Sequence, residues 1–276
     1  MELGSNNINT VMLGSNQVTD IYLGGTQVLK EFTPEDLTTS LWLDASDEDT
    51  ITESSGSVSQ WNDKSGNDNH AVQTESSKQP SFANSQITFD GTNDCMKVTD
   101  NAGLDLTEEL TIFVVANPTV TATTSYLICR NGSSYAEIQY TLDYSNSSNL
   151  SNIVLNGTVR DNSPVGSFAT GQLNIISATY NKIVAEVFGN GESNGSSSYT
   201  ASLTSRGNMF VGCRSNSSTG STQSALFEGE INEIIIIPTS LSEEDRQKIE
   251  GYLAHKWGLE DNLPSDHPYK TNKPTI

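Results

Sequence analysis

Residues 227–258, FEGEINEIIIIPTSLSEEDRQKIEGYLAHKWG, restrict the fold more than any other stretch of the chain. Ile231, Ile234, Ile235, Ile236 and Ile237 are β-branched, and so crowded an apolar run is a strand that needs cover on both faces. Pro238 ends it. Ser242 then offers a hydroxyl acceptor to the free amides of a helix start, with Asp245 three residues on in a capping-box arrangement and acidic residues in the first turn. The helix predicted there is amphipathic. Ile249, Leu253 and Trp257 recur at one-turn intervals with Tyr252 beside them, while Glu243, Glu244, Gln247, Lys248 and Glu250 are expected to face water. Gly258 fits the C-cap.

Short strand patterns fill the middle of the chain. Strands are predicted at 86–89, 95–98, 110–116, 126–130, 136–142, 152–155, 173–180, 182–188, 199–203 and 209–213. Ile138-Gln139-Tyr140-Thr141-Leu142 alternates, giving one wet face and one buried face, whereas Thr111-Ile112-Phe113-Val114-Val115 is apolar throughout and belongs inside a sheet. Tyr180-Asn181-Lys182 reads as a hairpin turn, and Gly189-Asn190-Gly191 ends the next strand. The Ser/Asn/Gly-rich pieces 145–151, 191–198 and 215–224 read as loops.

The first thirty residues hide a ten-residue repeat. Leu3-Gly4-Ser5-Asn6-Asn7-Ile8, Leu13-Gly14-Ser15-Asn16-Gln17-Val18 and Leu23-Gly24-Gly25-Thr26-Gln27-Val28 each combine strand residues with a tight turn. Such units cannot bury a core alone, so Ile8, Val11, Leu13, Val18, Ile21, Leu23 and Val28 are expected to dock on the chain's own sandwich, on another copy or on a larger assembly. Residues 31–39, with Pro34, form a polar hinge. The expected division is an arm over residues 1–32 and one main domain over 33–276.

At 34% hydrophobic and 17% charged, the composition suits many short strands joined by polar turns. A net charge of −20 excludes nucleic-acid backbones and anionic membranes as natural partners, because association would begin with repulsion. Cys95, Cys129 and Cys213 are odd in number and far apart, so they are expected to be free core thiols made in a reducing cytoplasm. The start MELGSNNINT lacks a signal peptide's basic and apolar regions, and no apolar run reaches membrane-spanning length.

Gly229-Glu230-Ile231-Asn232-Glu233-Ile234 with Leu241-Ser242 opening a helix resembles the closing signature of laminin-G-like, concanavalin-A-like jelly-roll domains. Leu41-Trp42-Leu43-Asp44-Ala45-Ser46, Val58-Ser59-Gln60-Trp61-Asn62-Asp63-Lys64-Ser65-Gly66 and Phe89-Asp90-Gly91-Thr92-Asn93-Asp94 look like the family's opening strands and loops. The tail 251–269 is similar to those of such domains in bacterial surface and phage virion proteins. The resemblance implies an all-β sandwich of two antiparallel sheets with one C-terminal helix. The arm, in turn, resembles leaders that precede receptor-binding or decoration domains in tailed-phage virion proteins.

Three kinds of site follow from the resemblance. Glu228, Glu230 and Glu233 on a bulged strand resemble the arrangement in which concanavalin-A-like glucanases place nucleophile and acid on one face, about 5 to 5.5 Å apart. The same residues also fit a closing strand whose acids face solvent, and no catalytic residue is assigned. Related sandwiches hold Ca2+ at one rim, and two oxygen-rich loops would suit it: Asp63, Asn67, Asp68 and Asn69, and Asp90, Asn93 and Asp94. Asp and Asn are equally what turns are made of. Sugar binding needs an exposed aromatic near such a rim. Trp61, Tyr135 and Tyr144 are the candidates, although Trp61 also fits a core position. His70, His255 and His267 are expected to be structural or surface groups.

The function expected is that of a non-enzymatic virion protein, a capsid decoration, fibre or tail component. Its arm, residues 1–31, would hold other virion proteins, and its head would bind host glycans; a homotrimer is expected by analogy. The alternatives are a glucanase-like enzyme and a free calcium-dependent lectin.

Overall fold

The closing strand Glu228–Ile237 lies at the centre of the fold. Along one edge it pairs with Leu110–Pro118 over nearly its whole length. Its other edge is shared: the first half takes Gln86–Asp90, the second Leu41–Asp44. From Leu110–Pro118 the ladder continues to Asn174–Tyr180, Val184–Gly189 and Glu192–Ser198, completing a first sheet. On the far side Gln86–Asp90 passes to Ser81–Ala83, which touches Ser57–Trp61 and leads into a second sheet. That sheet runs Ile51–Ser54, Ser57–Trp61, Ala71–Val72, Met96–Val98, Met209–Val211, Thr124–Asn131, Ile138–Ser145, Leu150–Leu155 and Thr158–Val159. Every pairing is antiparallel. The computed structural model describes residues 11–13, 16–18, 20–23, 26–119, 124–132, 134–145, 150–159, 170–204, 207–216 and 222–276.

Strand alternation explains the layers. Ile231, Ile234 and Ile236 point between the sheets, joining Leu41, Leu43, Ile112 and Val114 of their own sheet to Trp61, Leu127, Tyr140 and Leu142 of the other. Ile235 and Ile237 point the opposite way, with Trp42, Phe113 and Val115, against Ile249, Leu253 and Ala254 of the helix. Both faces of the isoleucine run are therefore covered, and each fully buried isoleucine contributes roughly 1.5–3 kcal/mol.

The helix is Glu243–Trp257. Asp245 N donates to Ser242 Oγ at 3.2 Å, and Gly258 closes the C-terminus at φ 68°. One face differs from the helical pattern: Glu250, expected in water, is fully buried. The tail 263–269 covers it. Arg246 Nη1 donates to Glu250 Oε1 at 2.5 Å and His267 Nε2 lies 3.3 Å from Oε2. Because Tyr269 N donates to His267 Nδ1 at 3.2 Å, the ring hydrogen sits on Nε2 and is donated to Glu250.

Two further corrections concern composition. Residues 192–198, expected as loop, form the strand Glu192–Ser198 on Val184–Gly189, and the predicted strand at 199–203 is absent. Ladder hydrogen bonds use backbone alone, so ESNGSSS extends a sheet despite its poor strand propensity. Cys95 and Cys213, expected as free thiols, form a disulfide across 118 residues of sequence, leaving Cys129 buried and free.

In the arm, each described ten-residue repeat is one hairpin. Val11–Leu13 pairs with Asn16–Val18, and Ile21–Leu23 with Thr26–Leu29, as separate two-stranded units. Ile8 lies outside the described residues. The arm's root is tied to the end of the chain: Lys30 and Ile276 exchange backbone hydrogen bonds at 3.2 and 2.9 Å, and Phe32 N donates to Pro274 O at 2.9 Å. Phe32 is buried with Trp42 and Phe113. Among the described residues no helix is long and apolar enough to cross a membrane.

Candidate ligand-binding face

The acids of the closing strand share a face but form no open site. Val115 pairs with Glu233 and Ala116 with Ile231, so Asn232 is an extra, bulged residue. The bulge keeps Glu228, Glu230 and Glu233 on the helix side of the first sheet. Glu228 is exposed. Glu230 is half-buried and takes hydrogen bonds from Gln86 Nε2 at 2.6 Å and Asn117 Nδ2 at 3.0 Å. Glu233, expected in solvent, is 1% exposed beneath the helix. Trp42 Nε1 (2.8 Å) and the Tyr252 hydroxyl (3.3 Å) donate to its Oε1, and Trp257 Nε1 and Lys256 Nζ (2.7 Å each) donate to Oε2. Burial pushes its pKa up, and the pull of Lys256 does not fully offset that push. Helix and sheet are joined at this carboxylate, and it is out of a substrate's reach.

In the oxygen-rich loops Asp63, Asp90 and Asp94 are engaged mainly by backbone N–H groups, and Asp68 is left exposed. Asp63 accepts from Trp42 N (2.8 Å), Ser65 N (2.9 Å), Ser65 Oγ (2.6 Å) and Asn69 N (3.0 Å). Asn67 Nδ2 donates to Thr39 O at 2.9 Å, and Asp68 stands exposed, 3.8 Å from His70 Nε2. In the second loop Asp90 Oδ1 accepts from Thr92 N at 2.8 Å and Asn93 N at 3.1 Å, while Asp94 Oδ2 accepts from Asp90 N at 3.0 Å. Burial raises the Asp94 pKa to about 6. Among the described residues no group of three or more His, Cys, Asp or Glu side chains is placed to hold a metal ion.

The aromatic candidates need correcting. Trp61 and Tyr144 are fully buried in the core between the sheets and present no face to a sugar. Strand alternation places Tyr144 there in line with Tyr140 and Leu142, whereas Trp61, three residues from the inward Val58, is turned inward by the bulge at Ser59. Tyr135 begins the 3-10 turn Tyr135–Glu137, and its side chain lies outside the described residues.

An open polar face exists elsewhere, on the outer side of the second sheet. The chain leaves Met209–Val211, is pinned by Cys213 to Cys95, and crosses that sheet as a strap in which Arg214–Ser215 pairs with Gln223–Ser224. Tyr126 N donates to Ala225 O at 3.2 Å and Asn131 Nδ2 to Ser215 O at 2.6 Å. Leu226 packs on Phe210 and the two bonded cysteines, and Ala225 packs on Tyr126, Cys129, Ile138 and Val154.

Beside the strap lies a groove of 430 Å³ lined by Val72, Gln73, Thr74, Glu75, Lys78, Lys97 and Gln223, with the buried ring of Phe210 beneath them. Gln73 is held by its donation to Cys95 O at 2.5 Å, and Lys78 pairs with Glu75 at 2.8 Å. Sequence reasoning missed this face. Its only signal is the outward-pointing trio Val72, Lys97 and Phe210, which become neighbours once the strand register is known.

A larger cleft of 850 Å³ separates Val184–Gly189 from the helix start. Glu186, Glu192, Glu243 and Asp266 line it around Arg246, whose guanidinium lies 3.9 Å from the Phe188 ring centroid and is committed to Glu250. Covering four carboxylates there would cost their hydration without a matching cation.

The chain resembles known proteins in fold. The Trypanosoma rangeli sialidase structure in complex with sialic acid superposes with a TM-score of 0.59 at 11% identity, covering 87% of this chain and 36% of that one. The same enzyme in its covalent-intermediate complex with a difluorosialic acid gives 0.57 at 12%, with 79% and 33% covered. The binding domain of Paraclostridial Mosquitocidal Protein 1 gives 0.58 at 13%, with 80% and 53% covered. The chain thus spans about a third of the sialidases' length. Comparison with curated proteins found no match. A laminin-G-like family model, described as the concanavalin A-like lectin/glucanases superfamily, matches residues 90–245. With more than half of its residues matched and two antiparallel sheets around a buried closing strand, the chain belongs to the concanavalin A-like lectin/glucanases superfamily.

Proposed function

We propose that this chain is a non-enzymatic carbohydrate-binding protein of a virion, held to the particle by its N-terminal arm and binding host-surface glycans with its jelly roll. The observation that carries the reading is the groove beside the strap. It sets the partly exposed apolar side chain of Val72 among amide, hydroxyl and charged groups, a mixture that suits sugars, which have polar edges and apolar faces. A non-catalytic role is supported by the commitment of Glu230 to two amides and by the burial of Glu233. The virion role rests on the arm, whose separate hairpins are too small to be stable alone and call for a docking surface on other virion proteins and on further copies of the chain, a trimer in our reading.

The test is a glycan array probed with the full chain and with Thr99→Trp, an exposed groove residue whose replacement by indole fills the space. Binding by the wild type that Thr99→Trp abolishes supports the reading. Silence across a broad neutral and acidic array, or binding that Thr99→Trp leaves unchanged, overturns it.

A further inference from the structure

We propose that the groove selects saccharides bearing a carboxylate, and that Lys97 is the residue that reads the acid. The inference deepens, and therefore rests on, the carbohydrate-binding reading above. Its basis is a census of the lysines. Lys30 pairs with Asp36, Lys64 with Asp44 and Asp47, Lys78 with Glu75, Lys182 with Glu108, Lys248 with Glu244, Lys256 with Glu233 and Asp44, and Lys273 with Glu31. Lys270 donates to the backbone oxygens of Glu260, Asp261 and Leu263. Lys97 alone among the described lysines has neither an acid nor a hydrogen-bond acceptor as partner. In a chain of net charge −20, where carboxylates outnumber bases by more than two to one, an unpaired lysine is the exception.

Its position gives the exception a use. Lys97 is half-buried at the centre of the short strand Met96–Val98, and its side chain rises from the outer sheet face between Val72 and Phe210. Glu75 and Lys78 neutralise each other, so the groove's remaining charge is the single positive one on Lys97. A neutral sugar lying across the ammonium would strip its water and return only hydroxyl contacts. A carboxylate returns a charge-assisted hydrogen bond instead, worth about tenfold or more in affinity. Gln73, whose amide is held by Cys95 O and by the backbone N–H of Glu75, and Gln223 on the strap line the same groove and give it a polar wall.

The experiment is calorimetric titration of the full chain with matched probes differing in a carboxylate, sialyllactose against lactose and tetragalacturonate against its methyl ester. Lys97→Gln, Lys97→Arg and the distant control Lys182→Gln are run beside the wild type, with melting curves confirming that each is folded. The expected result is at least about tenfold tighter binding of the acid member of a pair, weakened by raising salt, lost in Lys97→Gln and retained in Lys97→Arg and Lys182→Gln. Equal binding of both members overturns the inference and leaves the carbohydrate-binding reading standing. An acid preference that survives Lys97→Gln overturns the role of Lys97. Failure of every probe and every arrayed glycan to bind overturns both.

Discussion

Glu233 is a buried anion that the fold cannot spare. Two indole N–H groups, a phenol and an ammonium converge on it, and Lys256 also reaches Asp44 at 2.7 Å. Removing one partner of a buried ion pair leaves the other charge uncompensated, at about 3–5 kcal/mol. Lys256→Met is therefore expected to lower the urea-unfolding free energy by that much, whereas Glu228→Gln, on the same strand but exposed, changes it by less than about 0.5 kcal/mol. A second residue carries a pH signature. Burial holds the Asp94 pKa at about 6, above the 3.8 of a free aspartate, so the native state binds a proton that the unfolded chain releases. The sign follows directly: Asp94 stabilises fully below pH 3.8, and that contribution is lost as pH rises through 6. Asp94→Asn keeps an acceptor for Asp90 N but does not titrate, so it should remove up to about 2 kcal/mol of the wild type's loss of stability between pH 4 and 7. Denaturant midpoints at the two pH values measure it. Neither environment was legible from residue type, because a Glu on a strand or an Asp in a turn becomes buried only through its tertiary neighbours.

Among the elements, the closing strand and helix were readable because their signals are local. Five β-branched residues, a proline stop, a serine cap and a glycine C-cap need no tertiary information, and the structure has each where its chemistry puts it. The bulge at Asn232 and the strand Glu192–Ser198 were harder. Register, rather than composition, decides both. Gly229 shows how tightly that register is held: at φ 141° a side chain is disfavoured, and a Cβ there would come within 2.3 Å of Asn117 O on the neighbouring strand. Gly229→Ala is expected to cost more than about 2 kcal/mol in thermal or chemical unfolding, compared with about 1 kcal/mol for removing the helix cap in Ser242→Ala. The strap was invisible for another reason. Its pin joins cysteines 118 residues apart, and only the pairing of Met96 with Val211 brings them together. In the chain-entropy picture a loop of that length is worth about 4–5 kcal/mol, so Cys95→Ser should lower the melting temperature by several degrees and expose Phe210 and Cys129 to solvent probes.

For the whole molecule, the decisive contrast is between a head that closes on itself and an arm that does not. The head's core spans both sheets and its outer layer is completed by the helix and tail, so it has the attributes of a unit that folds independently. The arm's described hairpins pair only within themselves, and their root is sewn to the last residues of the chain by the exchange between Lys30 and Ile276. A cut must respect that seam. Removing residues 1–27 spares Leu29, Phe32 and the pairing with 274–276, whereas removing Phe32 would open the layer beneath the helix. If the arm is the anchor, the 28–276 fragment keeps the melting temperature and glycan affinity of the full chain but sediments as a monomer and fails to enter purified particles in a complementation assay. Retention of both oligomer and particle by that fragment would place the anchor in the head and remove the arm from the mechanism.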